Sequence, residues 1–103
     1  MKNMNQLMQQ AKKMQEQLMR AQEQLAQQSF EGTAGGGAVK ATMTGAKQLV
    51  DMAIDKAVVD VDDIDMLQDL IVAAIQDVMQ KVDEATEKEL GKYTRGMNVP
   101  GLF

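Results

Sequence analysis

The chain has 103 residues, no cysteine, no histidine, no tryptophan and a formal net charge of −4. This length points to one domain over residues 1–103. The lack of cysteine excludes a disulfide framework and thiolate chemistry, and the lack of histidine removes the commonest general base and zinc ligand.

The first predicted element is a helix over about residues 3–28, rich in Gln, Met, Glu, Leu and Ala. Met4, Leu7, Ala11, Met14, Leu18, Ala21 and Leu25 alternate spacings of three and four, the pattern of a coiled-coil-like seam. Met8 and Met19 lie beside that seam and widen it. The composition shifts at Ser29, where residues 29–34 (SFEGTA) read as a short strand anchored by Phe30. Gly35, Gly36 and Gly37 follow as a turn. Residues 38–44 then alternate Val39, Ala41 and Met43 with Lys40, Thr42 and Thr44, a period of two with one wet face.

Gly45 opens another short connection, and residues 48–54 read as a third strand. Simple alternation places Val50, Met52 and Ile54 on one face, and Leu49, Asp51 and Ala53 on the other. Three short strands joined by Gly-containing turns predict an antiparallel meander. Residues 56–62 form a loop. A second helix is expected over about residues 63–90, with Asp60, Asp62 and Asp63 as N-cap candidates and Asp65 in its first turn. Its stripe is Ile64, Leu67, Ile71, Ala74, Val78, Val82 and Ala85, broadened by Leu70, Ile75 and Met79. Gly91 serves as its stop. Residues 91–103 read as a loop-like tail, broken by Gly96, Pro100 and Gly101 and carrying the apolar Met97, Val99, Leu102 and Phe103.

The fold class is therefore α+β: long helix, three-stranded antiparallel meander, long helix. A sheet with apolar residues on both faces cannot be covered by two helices of one chain, so a homodimer is expected. No apolar run approaches the ~20 residues of a membrane span. The opening stretch MKNMNQLMQQAKKMQEQLMR lacks the apolar core of a secretory signal, so a soluble cytoplasmic protein is expected.

The charge map is uneven. Residues 1–30 set Lys2, Lys12, Lys13 and Arg20 against Glu16 and Glu23, a net of +2, whereas residues 61–80 hold five Asp and no cation. Residues 81–103 balance Lys81, Lys88, Lys92 and Arg95 against four acids. If the two helical seams pair, the start of the first helix and the end of the second project together. The cations would then gather at arm tips above an acidic base. Cations so placed can replace the counterions condensed along duplex DNA without reading its sequence. A solvated helix face, with lysines complementing a helix dipole, is the ordinary alternative.

Other motifs favour structural roles. The Gly triplet leads into a strand, whereas a P-loop needs Gly-Lys-Ser/Thr leading into a helix. The Asp cluster fails the spacing of a calcium loop, because a loop begun at Asp60 puts Asp65 where glycine is needed. The ten Met fit packing better than a soft-metal site. Ser29 has no base beside it. No catalytic residue, metal, cofactor or small-molecule substrate is expected.

The stretches NQLMQQAKKMQEQLMRAQEQLA, EGTAGGGAVKATMTG, DIDMLQDLIVAAIQDVMQKV and GMNVPGLF, in this order, resemble the YbaB/EbfC family of bacterial nucleoid-associated proteins over essentially the whole chain. The sequence departs from the family's usual pattern at Gly45-Ala46-Lys47 and in the Pro-free loop before the second helix. The resemblance implies a tweezer-shaped homodimer, duplex DNA as the partner and a place on the nucleoid. It favours DNA contact for the set Lys2, Lys12, Lys13, Arg20, Lys81, Lys88, Lys92 and Arg95. An adaptor that binds proteins through its apolar seams and acidic hub is the alternative.

Overall fold

The computed structural model describes residues 2–94 and places the elements in the expected order. They are α1 (Lys2–Gln27), β1 (Ser29–Ala34), β2 (Val39–Thr44), β3 (Leu49–Ile54), a 3-10 turn (Lys56–Val58) and α2 (Ile64–Thr94). The three strands form one antiparallel sheet in the order β1-β2-β3. The whole is elongated, measuring 74 × 23 × 16 Å.

The core lies between the sheet and the first two-thirds of α2. Val39, Ala41 and Met43, alternate residues of β2, are buried against Ala74, Val78 and Val82 of α2. These three α2 positions repeat every four residues, so they form one narrow stripe on the helix. Phe30, Met52, Leu70, Ile71 and Ile75 close its margins. Helix and sheet meet most closely at Gly32. A Cβ there would fall 2.5 Å from the Ala74 carbonyl oxygen and 2.7 Å from the Val78 Cα, so only glycine admits this approach.

The turn between β1 and β2 uses Gly35, Gly36 and Gly37 with φ of 63°, 67° and 95°, values that favour glycine. The β2–β3 connection solves the same problem differently. Lys47 carries the positive φ of 63° there, while Gly45 is packed beneath the Leu25 carbonyl at the root of α1. Its chain is held by Thr44 N–H to the Gln48 carbonyl at 2.9 Å and by Lys47 N–H to the Thr44 carbonyl at 2.9 Å.

Three expectations need correction. The β2–β3 register shifts between Thr42 and Met43, so Met43 pairs with Leu49 while Thr42 pairs with Asp51. Val50 is the extra residue of this bulge. Cross-strand partners share a face, so Leu49, Met52 and Ile54 side with the buried residues of β2, where alternation alone put Val50. Second, α2 does not stop at Gly91 but continues to Thr94. Leu90 is buried and Tyr93 half-buried on this last stretch of α2, and such burial offsets the roughly 1 kcal/mol that glycine costs a helix. Residues 95–103, the rest of the expected tail, lie outside the described residues. Third, the seam of α1 is covered only near the sheet. Leu25 and Ala21 are buried and Leu18 is half-buried, but Leu7 is 63% and Met4 69% exposed.

That gradient follows from helix lengths. Leu25 and Asp83 both meet the β2–β3 turn, the first at Gly45 and the second through Lys47. From this shared level α2 has eleven residues left to Thr94, about 16 Å, whereas α1 extends twenty-three residues back to Lys2, about 35 Å. The first three turns of α1 therefore stand beyond the described end of α2.

Candidate nucleic-acid interface

Three of the acidic residues at the base of the molecule are engaged in local backbone geometry. Asp63 caps α2 by accepting from Met66 N–H at 3.2 Å, and Asp60 accepts from Asp62 N–H at 2.9 Å in the preceding turn. Asp55 caps the 3-10 turn by accepting from Ala57 N–H at 3.0 Å. Each satisfies a donor that the helix or turn leaves open.

The eight cations expected to meet DNA do not form one group. Lys81 is placed against the sheet: its ammonium donates to the Glu31 carbonyl at 3.0 Å and lies 3.2 Å from Asp77 Oδ2. The same Asp77 oxygen accepts from Thr33 N–H at 2.9 Å. Asp77 and Lys81 are one helical turn apart. Together they satisfy two backbone groups on the outer edge of β1, where an unpaired strand edge would otherwise invite another chain. The Thr33 hydrogen bond, followed by Lys81, holds the Asp77 carboxyl below the usual carboxylate range. Lys81 thus secures the sheet to α2.

Lys92 lies on the outer stretch of α2 but pairs with Glu89 at 3.3 Å. Lys88 is exposed one turn earlier, with no ion pair among the described residues. With Lys81 at the sheet, residues 83–94 of α2 keep Lys88 and Lys92 against Asp83, Glu84, Glu87 and Glu89, a net of −2. Lys47, outside the expected set, offsets Asp83.

On α1 the balance is reversed. Lys12, Lys13 and Arg20 are exposed and, among the described residues, carry no ion pair; set against Glu16 and Glu23, they leave the described side chains of α1 with a net of +1. Lys13 and Arg20 are seven residues apart and share a stripe, with Lys12 beside it. Lys13 also borders a shallow open concavity with Gln6, Gln9 and Gln10. These glutamines were not singled out from sequence. Their spacing of three, four and seven residues from Lys13 was the available signal, submerged in a helix where Gln is common. The Lys2 side chain and Arg95 lie outside the described residues.

The structure thus supplies a slender, cationic, amide-lined helix held out from a compact base. Residues 1–97 match the model of the YbaB/EbfC DNA-binding family. The chain belongs to this family. A nucleoid-associated protein of Oceanobacillus iheyensis is 52% identical over 98% of this chain and 97% of its own length. Another from an Exiguobacterium species is 50% identical over 99% and 97%, and one from a Thermoanaerobacter species 45% over 98% and 91%. The YbaB/EbfC architecture recurs in the crystal structure of an uncharacterized protein from Helicobacter pylori. It has a TM-score of 0.72 at 23% identity, covering 85% of this chain and 92% of that one. No helix among the described residues is long and apolar enough to cross a membrane.

Proposed function

We propose that the protein is a binding module, not an enzyme, which grips duplex DNA on the bacterial nucleoid as a homodimer. The observation that carries the reading is the set of exposed cations Lys12, Lys13 and Arg20 on the free-standing α1, without acidic partners among the described residues. Family membership supplies DNA as the ligand class, and the relatives are named nucleoid-associated proteins. The ammonium and guanidinium groups would displace counterions from phosphates. Gln6, Gln9 and Gln10 would add neutral hydrogen bonds to the same backbone, which positions a protein without specifying a sequence. Lys88 extends the surface from α2. Lys2 and Arg95 complete it on charge alone, while Lys92 and Lys81 are already paired and rank last.

Dimerisation is favoured by the exposed apolar residues at the base. Leu49, Val50 and Ile54 of β3, Val59 and Val61 of the following loop, and Ile64 of α2 all remain accessible. Val61 is 82% exposed. This stretch includes the uncovered edge strand of the sheet, and a self-complementary contact between two such patches is the usual closed solution. Two chains joined at their bases would hold two arms outward, the tweezer shape.

A mobility-shift titration at several salt concentrations tests the proposal. Affinity should fall with a log–log slope near −0.9 for each phosphate neutralised. Reversing Lys12, Lys13 and Arg20 to Glu should abolish binding while the dimer remains folded. Undiminished binding by that variant would place the contact elsewhere. Failure of the folded native dimer to bind duplex at low salt would leave the adaptor role as the better reading.

A further inference from the structure

The apolar seam of α1 changes character along its length. Leu18, Ala21 and Leu25 are half-buried or buried, whereas Met4, Leu7, Met8 and Met14 are exposed, with Ala11 exposed among them. The placement of charge sets this bare stretch apart from an ordinary wet helix face. With Met4 counted as a heptad a position, the seam runs through a and d, and the flanking e and g positions from Asn3 to Gln24 hold only Asn, Met and Gln. Lys12, Lys13, Glu16, Arg20 and Glu23 all fall at b, c and f, away from the seam. Charges at e and g are what set like helices apart or select their partners. Here there are none, so a second copy of the same helix meets no like charge beside the seam.

The side chains also select an orientation. A copy lying parallel and in register would run on past Met14, into the part of the seam that the fold already covers. It would also set Ala11 against Ala11 and leave a gap in that layer. An antiparallel copy, related by a twofold axis level with Gln9, sets Met4 against Met14 and Leu7 against Ala11, large against small in the inner layers. Its overlap spans Met4 to Met14, about 15 Å of helix axis, and ends where the cover begins. Two arms on one base, as proposed above, point the same way. An antiparallel partner therefore belongs to a different molecule.

We propose that the bare seam from Met4 to Met14 is a contact between molecules, in which α1 pairs antiparallel with α1 of a second copy. Joined to the base contact, it links dimer to dimer. Lys12, Lys13 and Arg20 stay outward on both helices, so the pairing stands whether or not they bind DNA. It engages about eleven residues a side where a standard interface uses roughly 20–30. The contact is therefore weak alone and strengthens when molecules are held near one another.

The chain contains no cysteine, which makes a cross-linking test unambiguous. The single variants Leu7→Cys and Ala11→Cys are mixed in equal amounts, oxidised mildly and resolved by mass. The mixed disulfide should outnumber the two like products by about tenfold, because antiparallel pairing brings only unlike positions within disulfide reach. Light scattering at rising concentration should show a mass that climbs above two chains. Leu7→Glu should hold it at two chains with an unchanged urea midpoint, since Leu7 lies outside the core. Like products in excess, or no cross-link, would overturn the proposal. A mass fixed at two chains would overturn it and leave the base dimer standing, whereas a mass fixed at one chain would overturn both.

Discussion

Replacing Gly32 with alanine should be among the most damaging single-methyl changes available to this protein. The new Cβ would meet the backbone of α2 at Ala74 and Val78, with the Val78 Cα at 2.7 Å. Ordinary carbon contacts lie near 3.5–4.0 Å, so helix and strand must separate by about 1 Å. Neither contacted atom belongs to a side chain that can swing away. A gap of that size forfeits between a quarter and a half of each dispersion contact across it. It would open over Val39, Val78 and Val82, the largest of the fully buried side chains among the described residues. A buried aliphatic side chain makes on the order of 40 contacts of 0.1–0.2 kcal/mol, so three lose roughly 4 kcal/mol. Alanine's smaller backbone entropy returns at most about 1 kcal/mol, leaving a net loss of about 3 kcal/mol. For a chain of this size that is a fall in Tm of roughly 15 °C. The assay is thermal and urea unfolding at one fixed protein concentration, since dimerisation would make either midpoint concentration-dependent. Gly36→Ala is the control: open space surrounds that position and only its φ of +67° is unfavourable, which costs about 1–2 kcal/mol. If Gly32→Ala is no more destabilising than Gly36→Ala, the close helix–strand approach is not what the fold depends on.

Other consequences can be measured in the same way. Gly91→Ala should stabilise the protein by about 0.5–1 kcal/mol, because the position is helical and no atom of the described residues comes within 4 Å of the added methyl; an unchanged or lower urea midpoint would contradict this. Val82→Ala, in contrast, should cost about 2 kcal/mol by the same assay, from two lost methyl groups and the cavity they leave. The Asp77 carboxyl titrates lower in the folded protein than in the unfolded chain, so its contribution is present above the unfolded pKa, about 4, and is lost as pH falls through the lower folded value. Asp77→Asn should therefore flatten the acid side of the stability profile, and an unaltered profile from pH 2 to 5 would refute that role. Lys81→Gln should leave the salt dependence of DNA binding unchanged within error, in contrast to Lys13→Gln, which should reduce its slope by about one phosphate.

The parts legible in the sequence are those set by periodicity. The three-four spacing of α1, the alternation of Val39, Ala41 and Met43, and the stripe through Ala74, Val78 and Val82 each identify an element and its buried face. What escaped depends on contacts between distant residues. The bulge at Val50 follows from how β3 pairs with β2, and alternation along a single strand carries no record of it. A glycine at the expected end of a helix reads locally as a stop, yet here α2 runs on through Gly91 to Thr94, past a buried Leu90. Lys81 illustrates the same limit at the candidate site. Its spacing of seven from Lys88 suggests a shared face and a shared role, yet its ammonium is drawn to a carbonyl fifty residues away. Charge can be counted from sequence, but whether a charge is already spent cannot.

The way α1 is mounted has a mechanical consequence. Its grip on the rest of the described chain is confined to the turns around Leu18, Ala21 and Leu25, so the helix behaves as a lever about 39 Å long fixed at one end. A rotation of only 10° at the root carries the tip through about 7 Å, while the β2 valine and the α2 valines beneath it need not repack. Two such levers on one base would set the width of their opening by small rotations where α1 passes into β1, around Gln28. The span offered to a ligand would then be adjusted at the root of α1, with repacking confined to Ala21, Leu25 and their neighbours.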